Sequence, residues 1–373
     1  MPTADTSAQI RVVVVDDSAF MRKAISMMLE SDPAIKVIGT ARDGEEGVDK
    51  VRRLKPDLVT MDIEMPRMDG LAALREIMTK CPTPVMMISS ITTEGAEATL
   101  EALELGAVDF IPKQSSYVSL DIVKIRDGLL LKIKDIVKRK HRLMAQFRSR
   151  QFSRLATRTV EAPPKPRDYT HVSTDRPRVV GKRFHHFDIV AIGSSTGGPP
   201  ALQKLIPALP ANLPVGIVIA QHMPPMFTRS LADRLNNLSR VTVREAVDNE
   251  MLEPGTVLIA PGGQHLTVRK RGTKAVIHIS EEPKETLYHP CVDVLFNSVA
   301  DAFGKASLGI MLTGMGSNGV IGAKNLKSKG GVVIAQNEES CVVYGMPRAV
   351  IEAQLADHVA AIDRIADELL AYF

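Results

Sequence analysis

Short apolar runs alternate along this chain with longer segments of helical period, and most of the runs end abruptly at a polar residue or a glycine. Arg11-Val12-Val13-Val14-Val15 stops at Asp16-Asp17. A run without polar alternation reads as a strand buried on both faces, as in a parallel sheet. Ser18 suits the N-cap of a helix reaching Leu29. Further strands are expected at 37–40, 57–61, 84–89 and 108–111, with helices at 45–54 and from 70 to 79. The second half repeats the pattern. Apolar runs at 189–192, 215–220, 257–260, 275–279, 308–312 and 332–335 read as strands, and 227–235, 292–303, 350–355 and 362–371 as helices. Alternation of this kind predicts an α/β fold with two doubly wound parallel sheets.

A chain of 373 residues exceeds what one core serves, which agrees with two domains. We divide it at 1–137, 138–186 and 187–373. Helical spacing persists over 123–143, so the last helix of the first domain is expected to run into KRKHRLMAQF. The middle segment carries 14 Lys and Arg against three Asp and Glu, a balance of +11 in a chain whose net charge is +4. With Pro163, Pro164, Pro166 and Pro177 and few large apolar residues, it reads as a basic, Pro-containing linker unable to form a core. Such a run is expected to be solvated tether, and no nucleic-acid partner is expected. Three cysteines, Cys81, Cys291 and Cys341, suit reduced thiols rather than a disulfide framework. The polar N-terminus and the lack of a long apolar run lead us to expect a cytoplasmic chain without membrane insertion.

Chemistry is expected at the strand ends, the edge on which open α/β sheets place their sites. In the first domain Asp16, Asp17 and Asp62 fall on one edge; carboxylates so gathered repel one another and suit a hard cation such as Mg²⁺. Ser89 and Lys113 follow the fourth and fifth strands and add a hydroxyl and an ammonium. In the second domain Gly193-Ser194-Ser195-Thr196-Gly197-Gly198 turns from strand to helix, with Pro199 and Pro200 in the first helical turn. Three readings are open for this turn: a nucleophilic serine, an anion cradle, or a structural turn. The G-x-x-x-G-G spacing is neither a dinucleotide nor a P-loop fingerprint. His222 and the loop around Asn318 end two more strands. A serine, a base and an orienting group on one edge form the arrangement for acyl transfer, with the backbone N–H groups of Thr196 and Met315 as oxyanion donors.

VVVVDDS, MDIEMPRMDG, ISS and DFIPK resemble a flavodoxin-like two-component receiver domain. IGSSTGG, QHMPPMFTRSLADRLN, IAPGGQH, PCVDVLF, LTGMGSNG and IAQNEESCVVYGMPRAV resemble the α/β catalytic domain of chemotaxis protein-glutamate methylesterases. The receiver resemblance implies Asp62 as phospho-acceptor, Mg²⁺ held by Asp16, Asp17 and Asp62, phosphoryl contacts from Ser89 and Lys113, and Phe110 at the aromatic switch position. It also implies a histidine kinase as phosphoryl donor. A proline usually follows the lysine in receivers; here Gln114 follows Lys113. The esterase resemblance implies hydrolysis of glutamate γ-methyl esters on methyl-accepting chemoreceptors, with glutamine deamidation, by Ser195 as nucleophile and His222 as base, without a cofactor in that domain. The third position departs from the family pattern, with Asn318 in place of Asp. An amide oxygen orients a histidine but supplies no charge, so the expected enzyme is slow, and Asn318→Asp is expected to speed it. The alternative is a phosphorylation-dependent receptor-binding protein with weak or lost esterase activity.

Overall fold

The structure, a computed structural model, describes residues 9–113, 121–145, 186–272 and 274–373. Most of the 138–186 linker and the junction after Lys113 lie outside the described residues.

The first domain has strands β1 (Ile10–Val15), β2 (Ile35–Ala41), β3 (Leu58–Asp62), β4 (Val85–Ser89) and β5 (Asp109–Pro112). They form a wholly parallel sheet in the order β2-β1-β3-β4-β5. Helices α1 (Ala19–Glu30), α2 (Gly44–Leu54), α3 (Gly70–Lys80), α4 (Thr93–Leu105) and α5 (Asp121–Lys138) connect and flank it. Four of them open on side-chain caps, in which Ser18 Oγ, Asp43, Asp69 and Thr92 Oγ1 accept from Met21, Glu46, Ala72 and Gly95 N–H. The expected continuous helix through 143 is interrupted: α5 stops at Lys138, a turn falls at Arg139, and helix resumes over 140–145.

The second domain holds a seven-stranded parallel sheet, ordered β15-β14-β13-β6-β7-β10-β8. Its members are β6 (Ile189–Ser194), β7 (Gly216–Gln221), β8 (Thr242–Glu245), β10 (Thr256–Ile259), β13 (Ser307–Met311), β14 (Val332–Gln336) and β15 (His358–Ala360). Along β6 the pleat divides the core. Val190 and Ile192 pack with Leu202, Leu205 and Phe227 on one face, while Ile189 and Ala191 pack with Val292, Phe296 and Val299 on the other. The helices are α6 (Gly198–Leu205), α7 (Phe227–Leu238), α8 (Val292–Phe303), α9 (Val320–Ser328), α10 (Met346–Glu352) and α11 (Ile365–Leu370).

Both parallel sheets were expected, but a small antiparallel sheet was not. Strands β9 (Met251–Leu252), β11 (His265–Arg271) and β12 (Lys274–Ser280) pair in the order β11-β12-β9. Only the β12 segment stood out as an apolar run; β11 has one buried face and an exposed, charged end, so its pattern is too weak to announce a strand. The short edge strands β8 and β15 were missed for a related reason, since each has few inward positions.

β6 and α8 approach closely at Gly193, where an added Cβ would lie 2.3 Å from Val292 Cγ1. That contact brings residues 291–293 against the end of β6. We expect Gly193→Ala to destabilise the second domain by about 1–3 kcal/mol, because the β-branched valine has no room to withdraw; urea unfolding followed by circular dichroism measures it.

Candidate active site

β6 lies at the switch point of the second sheet: the chain proceeds from it to β7 on one side and later returns to β13 on the other. The loops leaving these strands are laced together beyond the strand ends. Ser195 N–H donates to Thr313 O at 3.0 Å, His222 N–H to Ser194 O at 3.0 Å, and Leu312 N–H to Gly193 O at 2.9 Å. Behind them sits a buried polar network that sequence reasoning missed. Gln221 accepts from Ser194 Oγ at 2.6 Å and donates to Ser195 O at 3.0 Å; Thr313 Oγ1 donates to Thr196 O at 2.9 Å, and Gln336 Oε1 accepts from Thr313 N–H. Each of these groups is satisfied, so the network fixes the turn instead of destabilising it.

Ser195, Thr196, His222 and Met315 line one cavity of about 320 Å³. Among the described residues the Ser195 hydroxyl and the N–H groups of Thr196 and Met315 have no hydrogen-bond partner. His222 Nε2 is 2.9 Å from Asn318 Oδ1, and the buried Nδ1 has no partner. The orientation of the Asn318 amide is set by its other neighbours. Val292 N–H donates to the same oxygen at 2.8 Å, while Nδ2 donates to Asp293 Oδ2 at 2.8 Å and to Cys291 Sγ at 3.1 Å. An oxygen facing Nε2 requires Nε2 to carry the proton, which leaves a lone pair on Nδ1. Tyr288 stacks on the His222 ring with centroids 4.0 Å apart. Nothing in the irregular segment before α8 singled out Tyr288 in advance.

The first domain covers this cavity. Asp109, Phe110, Pro112 and Lys132 form part of its wall. Thr196 Oγ1 donates to Asp109 Oδ2 at 2.7 Å, and Lys132 pairs with the same oxygen at 2.7 Å. Phe110 stacks on Phe227 with centroids 4.7 Å apart, and Arg234 makes a forked ion pair with Glu104. Near Arg139, where the helix breaks, the guanidinium donates to Tyr344 O at 3.1 Å.

At the carboxyl edge of the first sheet, one carboxylate oxygen each of Asp16, Asp17 and Asp62 lie within 4.8 Å of one another. Lys113 Nζ is 2.6 Å from Asp62 Oδ2 and 3.2 Å from Asp16 Oδ2. Burial pushes the Asp62 carboxyl up to about 6, with Lys113 opposing the shift. Asp16 and Asp62 are buried with Lys113 as a neighbouring cation, and three hard carboxylate donors converge on the spot, so the residues fit a divalent cation. Ser89 faces away from Asp62 in its bonding: Oγ donates to Gly95 O at 3.0 Å.

Residues 190–369 match the CheB methylesterase family model and residues 12–122 the response regulator receiver domain model. The protein-glutamate methylesterase/protein-glutamine glutaminase 1 of Oleidesulfovibrio alaskensis is 53% identical over 364 residues, covering 97% of this chain and 98% of that relative. The chain belongs to the CheB methylesterase family. A second CheB-type relative, protein-glutamate methylesterase/protein-glutamine glutaminase 2 of Nitratidesulfovibrio vulgaris, is 51% identical over 363 residues, with 97% and 98% covered. The crystal structure of the Thermotoga maritima CheB methylesterase catalytic domain is 44% identical, covers 50% of this chain and 99% of its own, and superposes with a TM-score of 0.49.

In this CheB-family site His222 is pushed down to about 4, first by burial and then by the nearby Lys132 ammonium, with the Asn318 hydrogen bond opposing. The ring is therefore neutral at pH 7. The unfolded histidine binds its proton near 6.5, so this group makes stability rise with pH between about 4 and 6.5. We expect Lys132→Gln to raise the His222 pKa by removing a cation from the covering domain. An NMR titration of the ring protons checks this, and an unchanged midpoint would exclude a field from Lys132 at the imidazole.

Proposed function

We propose that this chain hydrolyses glutamate γ-methyl esters, and deamidates specific glutamines, on methyl-accepting chemoreceptors, with Ser195 as nucleophile, His222 as general base and Asn318 as the orienting group. The observation that carries the assignment is the state of the His222 ring. Its Nε2 is engaged by Asn318, its Nδ1 is buried and unpaired, and His222 and Ser195 line the same cavity. The roles of the two nitrogens are opposite to those in the serine proteases, where Nε2 faces the serine.

Ser195 Oγ attacks the ester carbonyl and its proton passes to His222 Nδ1. The carbonyl oxygen becomes an oxyanion held by the N–H groups of Thr196 and Met315. As the tetrahedral intermediate collapses, the C–O bond to methoxide breaks and the imidazolium returns the proton, releasing methanol. Water then attacks the glutamyl-serine ester, His222 takes one water proton, and Ser195 leaves with it, freeing the glutamate. With a glutamine substrate the same steps release ammonia.

Phosphorylation governs access. A histidine kinase supplies the phosphoryl group to Asp62 in the cytoplasm. Asp16, Asp17 and Asp62 would hold Mg²⁺, whose charge offsets that of the phosphoryl oxygens. Lys113 and Ser89 contact the transferred group, and Ser89 must first release Gly95 O to do so. Phe110 lies three residues before Lys113 and stacks on Phe227, so a shift of β5 is transmitted to the interface that closes the site. Closure acts in two ways. Asp109 and Phe110 occupy the cavity wall, and Lys132 disfavours the imidazolium that must form during attack. Among the described residues no helix is long and apolar enough to cross a membrane. A receptor-binding chain without esterase chemistry is not favoured, since relatives named as esterases match over nearly the whole chain.

Two outcomes test this. Ser195→Ala abolishes methanol release from methylated receptor membranes and labelling by a serine-reactive phosphonate; retained release assigns the nucleophile elsewhere. Arg234→Glu, which sets like charges against Glu104, raises the activity of the unphosphorylated chain several-fold, and adding Glu104→Arg lowers it again. If neither substitution changes the unphosphorylated rate, the first domain does not gate the site through this contact.

A further inference from the structure

We infer that Asp293 is the positioning carboxylate of this active site: it holds the Asn318 amide in the one orientation that keeps the His222 proton on Nε2. This rests on the assignment of His222 as the base. Asp293 stands in the first turn of α8 and is pinned at both oxygens, accepting from Gly322 N–H at 2.9 Å and from Asn318 Nδ2 at 2.8 Å. Helix α9 presses close there, since a Cβ on Gly322 would lie 3.1 Å from Asp293 O. The carboxylate therefore has little freedom to turn away.

The consequence is a choice of tautomer. If the Asn318 amide were inverted, its NH₂ would meet Val292 N–H, donor against donor, and its oxygen would meet the Asp293 carboxylate, acceptor against acceptor. Both contacts leave partly buried polar groups unpaired and repelling. Inversion would also present NH₂ to Nε2, forcing the ring proton onto Nδ1, where the lone pair needed to accept the serine proton would be lost. A wrong tautomer is what lowers turnover by about 10⁴ when the triad Asp of a serine protease becomes Asn. In this chain an Asn occupies the third position, and Asp293 corrects that fault from one residue further back. It also places a negative charge in line with the imidazole, relayed by a polarised amide. The other groups around the base are the stacked Tyr288 ring and the Lys132 ammonium, and Cys291 Sγ meets the amide; none of them selects the amide orientation as a carboxylate does.

The test exchanges the two side chains in the full chain, phosphorylated by a small-molecule phosphoryl donor and assayed for methanol release. In Asp293→Asn, the new amide must keep its oxygen on Gly322 N–H and so turns its NH₂ toward that of Asn318. We expect kcat to fall on the order of 100-fold with KM nearly unchanged, a smaller loss than in the protease because the amide has two other contacts. The ¹⁵N shifts of the His222 ring should report the proton moving from Nε2 to Nδ1. In Asp293→Asn with Asn318→Asp, the hydrogen-bond pattern is restored with the charge one step nearer the ring. We expect Nε2–H and at least the starting kcat to return. Intact mass verifies that residue 318 has not deamidated, and thermal unfolding verifies that each variant is folded. Unchanged kcat and ring shifts in Asp293→Asn would overturn the proposal, as would a folded double variant that fails to recover. Phosphonate labelling of Ser195 in the unsubstituted chain separates the two levels: its absence would sink the site assignment itself, whereas labelling without the swap behaviour would sink only the role of Asp293.

Discussion

Everything catalytic in this molecule depends on the burial of β6 between β13 and β7. A strand with every residue buried, paired in parallel on both sides, has no latitude in register. Its end is therefore a fixed point, and the two neighbouring strands end beside it. Backbone hydrogen bonds from Ser195 to Thr313 and from His222 to Ser194 carry that fixity one residue past the sheet. A hydroxyl, an imidazole and two unpaired N–H groups are thereby held on one cavity by main chain, and little is left to side-chain freedom. The arrangement suits acyl transfer because the oxyanion donors need no reorganisation when charge develops.

The electrostatics of the site follow from its depth. A half-buried histidine whose Nδ1 is shielded from water is kept neutral, which a general base requires, but the imidazolium formed in the reaction then needs support. Asn318 supplies a fixed acceptor and Asp293 a carboxylate behind it. The covering domain works against this support. Lys132 brings a cation to the ring, and Asp109 ties down the hydroxyl of Thr196, whose N–H is the proposed oxyanion donor. The same domain that shuts the cavity thus also opposes the charge that the chemistry must create. The interface combines the Phe110–Phe227 stack, the Thr196–Asp109 hydrogen bond, the partly exposed Glu104–Arg234 ion pair, and contacts from Arg139 to Tyr344 and from Arg142 to Glu338. The aromatic stack and the exposed ion pair are each worth on the order of 1 kcal/mol.

Much of this was legible in the order of residues. The β-branched runs and their abrupt ends announced two parallel sheets, because strands buried on both faces tolerate no polar alternation. The position of Asp16, Asp17, Asp62, Ser195 and His222 at strand ends followed from the same runs, since a chain that leaves a parallel strand does so at its carboxyl edge. The antiparallel sheet and the short edge strands were not legible, because a strand with few inward residues leaves a faint pattern. Gln221 and Thr313 were invisible as network members for another reason. Polar residues in a sequence carry no sign of whether they meet one another inside.

What tertiary structure alone decided is the pairing across long separations. Asn318 and Asp293 are 25 positions apart, and only the packing of α8 and α9 on β6 makes them partners. In the assignment proposed above, that contact and the amide at 318 together set which nitrogen of His222 carries the proton. The covering of the site by Phe110, Asp109 and Lys132 is likewise a matter of docking between two cores. Composition and periodicity describe each core by itself, because hydrophobic pattern is local, whereas an interface is selected by complementary shape and charge brought together only after both have folded.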